Sequence, residues 1–150
     1  MQVSQDSLVC IPIEVRNFND LTTVQFSLNW NPSIFKFEGI NPTGNLAGLT
    51  AGSFDLSLSD IGVLGINWQD TTGVTLPDGT AILELCLRAV GNREACTRID
   101  ISSSPNAFLV QSTQTGDRNL SLNPLHGENL YSRCDKSRFC IRCATYLCGI

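Results

Sequence analysis

Hydrophobic and polar residues alternate strictly in the stretch "TVQFSLNWNP", residues 23–32. The apolar side chains at positions 24, 26, 28 and 30 are separated by the polar, uncharged residues Gln25, Ser27 and Asn29. Successive side chains of a β-strand point to opposite sides of the sheet, so this period of two predicts a strand. One side of the strand is suited to a hydrophobic core, and the other side is polar without being charged.

The same alternation returns along the chain between turn signals rich in Gly, Pro, Asn and Asp. It predicts strands at residues 8–15, 23–30, 34–40, 54–58, 63–68 and 81–90, with shorter ones near Ile99, near Phe108 and in "LHGENLYS". Residues 54–58 and 63–68 are interpreted as a hairpin, and residues 70–80, "DTTGVTLPDGT", as a long polar loop. Because helical periodicity is hard to find, the predicted fold class is an all-β sandwich.

Two tryptophans are candidates for stacking against sugars. Trp30 lies at the same parity as Phe26, and Trp68 at the same parity as Ile66, so both share a side of their strand with core-facing residues. Indoles in such positions usually pack in the core and donate the ring N–H to a carbonyl. We therefore predict that both tryptophans are buried, which disfavours a carbohydrate-binding surface built on them.

Composition narrows the function classes. The 150 residues suit one domain, and a net charge of −4, with 10 basic and 14 acidic residues, argues against nucleic acid as a partner. No apolar run approaches the roughly 20 residues that cross a bilayer, so we expect no membrane insertion. Few charged residues and seven cysteines indicate an oxidising, extracellular compartment. Because no leader opens the chain, we expect a fragment or repeat of a larger secreted protein.

The order of these signals resembles a known family. The phrases "IPIEVRNF", "VQFSLNWNPSIFKFEGI" and "GVTLPDGTAILELCLRAVG" are similar to the cohesin family and its relatives in secreted multi-repeat bacterial proteins, over about residues 3–132. The sharpest match is "NWNP", with Asn31 where the family usually has Asp. The resemblance implies a jelly-roll β-sandwich of about nine strands, related to carbohydrate-binding modules, whose first strand is mostly missing here. It also implies binding of dockerin modules, which dock polysaccharide-degrading enzymes onto extracellular scaffolds.

The polar side of the opening strand is the candidate binding face. Thr23, Gln25 and Ser27, with Asn67 and Gln69 on the predicted neighbouring strand, would form a flat, uncharged surface that hydrogen-bonds to a protein partner. The resemblance places Thr23 and Gln25 at family dockerin contacts, where type I members tend to carry Asn and Asp. A solvated outer sheet face with no partner is the alternative interpretation.

No catalytic set is recognisable, and we predict that the chain is not an enzyme. His126 is the sole histidine, and Asp55, Asp60, Asp70 and Asp78 are scattered over predicted turns, where Asp more often caps the backbone. Asp70 and Asp78 bracket "TTGVTLP", but two carboxylates without the spacing of a dedicated calcium loop are a weak signal for Ca²⁺. We expect no cofactor and assign no metal ligand.

The cysteines fall into two groups. Cys10 and Cys86 both point outward by parity, and the family topology makes their strands neighbours, so a Cys10–Cys86 disulfide is predicted. Two free thiols, or a Cys86–Cys96 bond, are the alternatives. The Cys-rich tail, residues 133–150, is set apart from the sandwich at residues 1–132 and carries Cys134, Cys140, Cys143 and Cys148. Two disulfides in an appendage, a zinc site and a non-native junction all remain open for it.

The combined prediction is a non-catalytic, extracellular protein-interaction module of a larger exported protein. Its partner would be a dockerin-like module or copies of itself. Two alternatives remain, a carbohydrate-binding module that binds polysaccharide, and a structural repeat that self-assembles into fibres or surface layers through an unpaired strand edge.

Overall fold

A computed structural model of the chain describes residues 2–91, 95–113, 140–142 and 146–149. These residues contain twelve strands, five of them only two or three residues long. The strands are β1 Gln2–Val3, β2 Leu8–Arg16, β3 Phe18–Asn29, β4 Phe35–Pro42, β5 Phe54–Asp55, β6 Val63–Leu76, β7 Thr80–Ala89, β8 Cys96–Arg98, β9 Asp100–Ser102, β10 Leu109–Ser112, β11 Cys140–Arg142 and β12 Tyr146–Gly149.

Two sheets face each other and enclose the core. One has the order β10-β3-β6-β5, with β9 also paired to β3, and the other has the order β11-β2-β7-β4. Their inner sides contribute to a single cluster of buried residues, such as Ile11 and Leu85 from one sheet and Phe26 and Ile66 from the other. The predicted all-β sandwich is confirmed. A third, small sheet, β1-β12-β8, completes the described strands.

The predicted parity holds along the long strands. On β2, Ile11 and Ile13 are fully buried while Cys10 is exposed. Both tryptophans are buried as predicted: Trp30 donates its Nε1–H to the carbonyl of Phe35 at 2.9 Å, and Trp68 donates to the carbonyl of Ala47 at 2.8 Å. Each indole thus satisfies its polar atom inside the core.

Residues 70–76 form the second half of β6, so the predicted long polar loop is wrong there. This half pairs with the beginning of β3, with Val74 opposite Leu21 and Leu76 opposite Phe18. The pairing register shifts between Leu21 and Thr23, and Gly73, on the β6 side of that shift, has a φ of +84°, which glycine adopts without strain. Polar Thr residues and a glycine look like a loop in sequence, but β-branched side chains on a bulged strand suit a sheet.

The predicted strand at residues 54–58 is shorter than expected. Only Phe54 and Asp55 pair with β6, opposite Ile66 and Gly65. The chain then turns, because the Asp55 carboxylate accepts the backbone N–H of Ser57 at 3.0 Å, and residues 59–61 form a 3₁₀ helix. The predicted hairpin partner is therefore correct, but most of the expected strand is a turn.

The two C-terminal strands that the structure describes pair with different sheets. β11 pairs with β2 at residues 14–16, and β12 pairs with β8 and β1. The boundary predicted between residues 132 and 133, the expected strand in "LHGENLYS", and Cys134 and Cys143 lie outside the described residues. Within the described part of the chain, no helix has the length and hydropathy needed to span a membrane.

Candidate functional site

Strands β3 and β6 bring the five predicted binding residues together on one side of the sheet. Their antiparallel register places Thr23 opposite Gln69, Gln25 opposite Asn67, and Ser27 opposite Gly65. Residues directly opposite each other on paired strands point to the same face. The predicted proximity of Thr23, Gln25 and Ser27 to Asn67 and Gln69 is therefore confirmed.

Exposure divides this face into two halves. Asn67 and Gln69 on β6 are exposed, whereas on β3 Gln25 is half-buried, Thr23 is 6% exposed and Ser27 is 0% exposed. The expectation of a uniformly exposed face is wrong for Thr23 and Ser27. Of the five residues, Asn67 and Gln69 on β6 are the two that are exposed to solvent.

The β3 half is covered by residues 102–107, here called the covering segment. The Ser27 hydroxyl accepts the backbone N–H of Asn106 at 2.9 Å and donates to the Asn106 carbonyl at 3.2 Å. Farther along β3, Gln25 donates through Nε2 to the Ala107 carbonyl at 3.0 Å, and Asn29 donates through Nδ2 to Ser102 Oγ at 2.7 Å. The polar residues of β3 thus satisfy the backbone of the chain's own segment.

The covering segment reaches across β3 to Gly65 on β6. A Cβ placed at Gly65 would lie 2.5 Å from Asn106 Nδ2, so the missing side chain makes room for Asn106. Thr23 is enclosed in another way, because its short side chain lies between two register partners, Gln69 on β6 and Gln111 on β10. The covering segment therefore extends as far as Gly65, and Asn67 and Gln69 on β6 stay exposed.

The carboxylates near this sheet cap backbone groups. Asp70 Oδ1 accepts the N–H of Thr72 at 2.8 Å, the Thr72 hydroxyl at 2.9 Å and the N–H of Gly73 at 3.2 Å, and these bonds, led by the Thr72 N–H, lower the pKa of Asp70. Asp78 Oδ1 accepts the N–H of Asn17 at 2.8 Å. Among the described residues, no group of three or more His, Cys, Asp or Glu side chains is placed to hold a metal ion. The structure thus gives the weak calcium signal no further support.

An exposed group of apolar residues follows β5 and was missed from the sequence. Leu56, Leu58 and Ile61 are 43%, 39% and 60% exposed, and we call them the apolar cluster. Leu56 and Leu58 alternate with Ser57 and Ser59, which is why the sequence predicts a strand over residues 54–58 in place of the turn. The signal that separates the two cases is Asp55, whose short side chain is well suited to turn the chain.

The predicted Cys10–Cys86 disulfide is present. The two residues are directly opposite on β2 and β7, with Cα atoms 4.0 Å apart, and they close 76 residues of chain. Cys86 therefore does not pair with Cys96, which is itself disulfide-bonded. The bond cross-links the two central strands of the four-stranded sheet on its outer side.

No family model and no curated protein sequence matches the chain. Solved structures do match it. CaCohA2 from Clostridium acetobutylicum superposes with a TM-score of 0.60 at 12% identity, covering 79% of this chain and 77% of that one. The third cohesin ScaC of Acetivibrio cellulolyticus, in complex with the ScaB dockerin, superposes with a TM-score of 0.59 at 12% identity, covering 76% and 82%. The chain has a cohesin-like fold.

The cohesin-like sandwich departs from the expected contact positions at β3. The resemblance places Thr23 and Gln25 at family dockerin contacts. In this structure Thr23 is buried, and Gln25 donates a hydrogen bond to the covering segment. The exposed part of this cohesin-like face consists of Asn67 and Gln69 on β6, together with Asp55 on β5. A partner that approaches the sheet therefore meets β6 and β5 first.

Proposed function

We propose that the chain is a non-catalytic, extracellular protein-binding module that recognises a dockerin-like partner on the exposed β6–β5 half of its outer sheet face. The observation that carries the proposal is the exposed pair Asn67 and Gln69 on the open half of a cohesin-like sheet. CaCohA2 and the third cohesin ScaC, which both superpose on this chain, have each been solved in complex with a dockerin.

The surface chemistry suits recognition of a protein. Amide side chains both donate and accept hydrogen bonds, and Asn67 and Gln69 lie on a strand that is paired with β3 at both positions and with β5 at the adjacent residues 65–66. Such a surface requires little ordering on binding, so less affinity is lost to conformational entropy. Polar contacts of this kind give specificity around an apolar anchor.

Three carboxylates among the described residues are unsuited to act as a general acid. A general acid needs a raised pKa, but hydrogen bonds lower the pKa of Glu38, Asp55 and Asp70, through Arg88, Ser57 and Thr72 respectively. Each is therefore an ionised acceptor at neutral pH. An extracellular location is supported by the Cys10–Cys86 disulfide, because such bonds persist in oxidising compartments.

Neither alternative function has a specific observation in its favour among the described residues. Trp30 and Trp68 are buried, so neither provides a flat platform for sugar rings. The outer edge of β2 is paired with β11 at residues 14–16, which leaves less edge for strand exchange with another copy.

Isothermal titration calorimetry against a panel of purified dockerin modules tests the proposal. The panel holds the dockerins of the genome that encodes this chain and those of the Clostridium acetobutylicum and Acetivibrio cellulolyticus complexes. We expect at least one to bind, and Gln69→Lys to weaken that binding at least about tenfold. Gln5→Lys is the matched control, because Gln5 is exposed but lies before β2.

Two results would contradict the proposal. One is that no dockerin binds while insoluble polysaccharide retains the chain, which would indicate a carbohydrate-binding module. The other is that Gln69→Lys and Gln5→Lys bind equally to every dockerin that the parent chain binds.

A further inference from the structure

The apolar cluster lies beside the proposed binding face and has no role in the core. Its three members are three of the four large hydrophobic side chains that are exposed among the described residues; the fourth is Leu8 on β2. We infer that Leu56, Leu58 and Ile61 anchor a cationic protein partner that brings apolar side chains to this cluster. The inference rests on the proposed function, since it names the chemistry of the partner.

The turn that carries the cluster is held in one conformation. The N–H of Ser59 donates to the Leu56 carbonyl at 3.0 Å, and Ile61 and Val63 donate to the Leu58 carbonyl at 3.1 and 3.2 Å. Gly62 ends the turn with a φ of +79°, and any side chain there would collide with the Trp30 carbonyl. Apolar side chains on so fixed a turn lose little freedom when a partner covers them.

Charge identifies the partner. Asp55 and Asp60 flank the cluster and are exposed. Residues 37–87 contain no Lys or Arg at all, and among their acidic residues Asp55 and Asp60 adjoin the cluster, whereas Glu38 on β4 and Glu84 on β7 belong to the other sheet. The cations that border this range are Lys36 and Arg88, and Arg88 is already paired with Glu38 at 2.6 Å. A cationic partner is therefore attracted to this surface and oriented by it.

The same charges disfavour a second copy of this chain as the occupant. Two copies that meet through their apolar clusters would bring Asp55 and Asp60 of one close to Asp55 and Asp60 of the other. Like charges in an interface cost affinity, and no Lys or Arg in residues 37–87 is available to offset them.

The cluster is continuous with the proposed binding face. Its last residue, Ile61, is separated from Val63 by Gly62 alone, and Asn67 lies four residues beyond Val63 along β6, or about 13 Å at the rise of a strand. A standard protein interface buries about 800 Å² per partner, so one partner covers both surfaces. The amides of β6 then provide the polar rim around the apolar anchor.

A peptide probe tests the chemistry of the partner. A synthetic amphipathic peptide of Leu and Lys, and a control of the same length with Glu in place of Lys, are titrated into the ¹⁵N-labelled chain. We expect the Leu/Lys peptide to shift the amide signals of residues 55–69 and the Leu/Glu peptide to shift none. Equal binding of both peptides would overturn the inference, and so would shifts that extend to Asp78 and Glu84, which lie away from the cluster.

Paired variants test the anchor. Leu56→Ser and Ile61→Ser are expected to weaken the Leu/Lys peptide at least tenfold, and to weaken equally any dockerin that binds. Leu8→Ser is the matched control, with 54% exposure on the other sheet, and is expected to bind like the parent. All three are expected to keep the parental melting temperature, because the side chains are exposed.

Two outcomes separate this inference from the proposed function. A dockerin that binds the Leu56→Ser and Ile61→Ser variants normally, but not Gln69→Lys, overturns the apolar anchor and leaves the binding face intact. Oligomers in analytical ultracentrifugation that Ile61→Ser dissolves would show that a second copy is the occupant, and would also overturn the inference.

Discussion

Strands β3 and β6 lie side by side and carry similar polar side chains on the outer side of one sheet, yet their environments differ. Ser27 on β3 is fully buried beneath the covering segment, while Asn67 and Gln69 on β6 are exposed. On β3 the polar groups stabilise the fold, and on β6 they remain available to a partner. A polar sheet face is therefore not one functional unit, and its role is decided by what crosses it.

The largest loss of stability is expected from a substitution on the inner, core-facing side of β6. Trp68 is 1% exposed, packs against Phe18 with ring centroids 5.7 Å apart, and donates to the Ala47 carbonyl. Trp68→Ala is expected to lower the free energy of unfolding by about 3–5 kcal/mol, through lost packing and a cavity. Urea denaturation measures this. The adjacent Asn67→Ala is the control, and an equal loss there would mean that the two sides of β6 do not differ.

The outer side of the other sheet is stabilised differently. There the Cys10–Cys86 disulfide joins β2 and β7 covalently. Cys10→Ser with Cys86→Ser is expected to lower the free energy of unfolding by about 2–4 kcal/mol, because the bond closes a long loop in the unfolded chain. Thermal unfolding with and without reductant checks it. A parent chain whose midpoint does not change on reduction would contradict the expectation. Peptide mapping should recover a Cys10–Cys86 fragment.

The covered and open halves can be compared directly. Ser27→Ala removes both bonds to Asn106 and leaves part-buried backbone groups without a partner, so we expect a loss of about 1–3 kcal/mol in unfolding free energy. Gln69→Ala, on the open half, is expected to change it by less than about 0.5 kcal/mol. Chemical denaturation of both variants sharpens the comparison. Equal effects would remove the distinction between covered and open residues.

The smallest expected effect is the pH dependence of Asp70 at the β6 bulge. Because hydrogen bonds led by the Thr72 N–H lower its folded-state pKa, the ionised form stabilises the fold. That contribution is present above the unfolded pKa of about 4 and is lost as pH falls through the folded pKa. Asp70→Asn should therefore lose less stability than the parent between neutral pH and about pH 3. Parallel losses in both proteins would show that Asp70 makes no contribution.

The features that could be predicted from the sequence are those that depend on local alternation of apolar and polar residues. Alternation in β2 and β7 identified the core-facing residues, and the outward parity of Cys10 and Cys86 led to the disulfide. The second half of β6 was missed because its pairing with Leu21 depends on a bulge at Gly73. A register shift of this kind cannot be recognised from the neighbouring residues alone.

The binding face could be predicted only in part. The parity of Gln25 and Asn67 correctly placed both on one side of the sheet. Burial of Ser27 could not be predicted, because its partner Asn106 lies 79 residues away and a covered serine has the same local pattern as a solvated one. Exposure of Leu56 could not be predicted either, because alternating leucines normally indicate the buried side of a strand.

Amide hydrogen exchange, measured with and without a bound dockerin module, tests the central claim most directly. We predict added protection of residues 54–69 on the β5–β6 half, and no change in residues 102–112, which already cover or pair with β3. Added protection confined to residues 102–112 would contradict it, because the partner would then lie on the covered half. So would a complex in which neither segment changes.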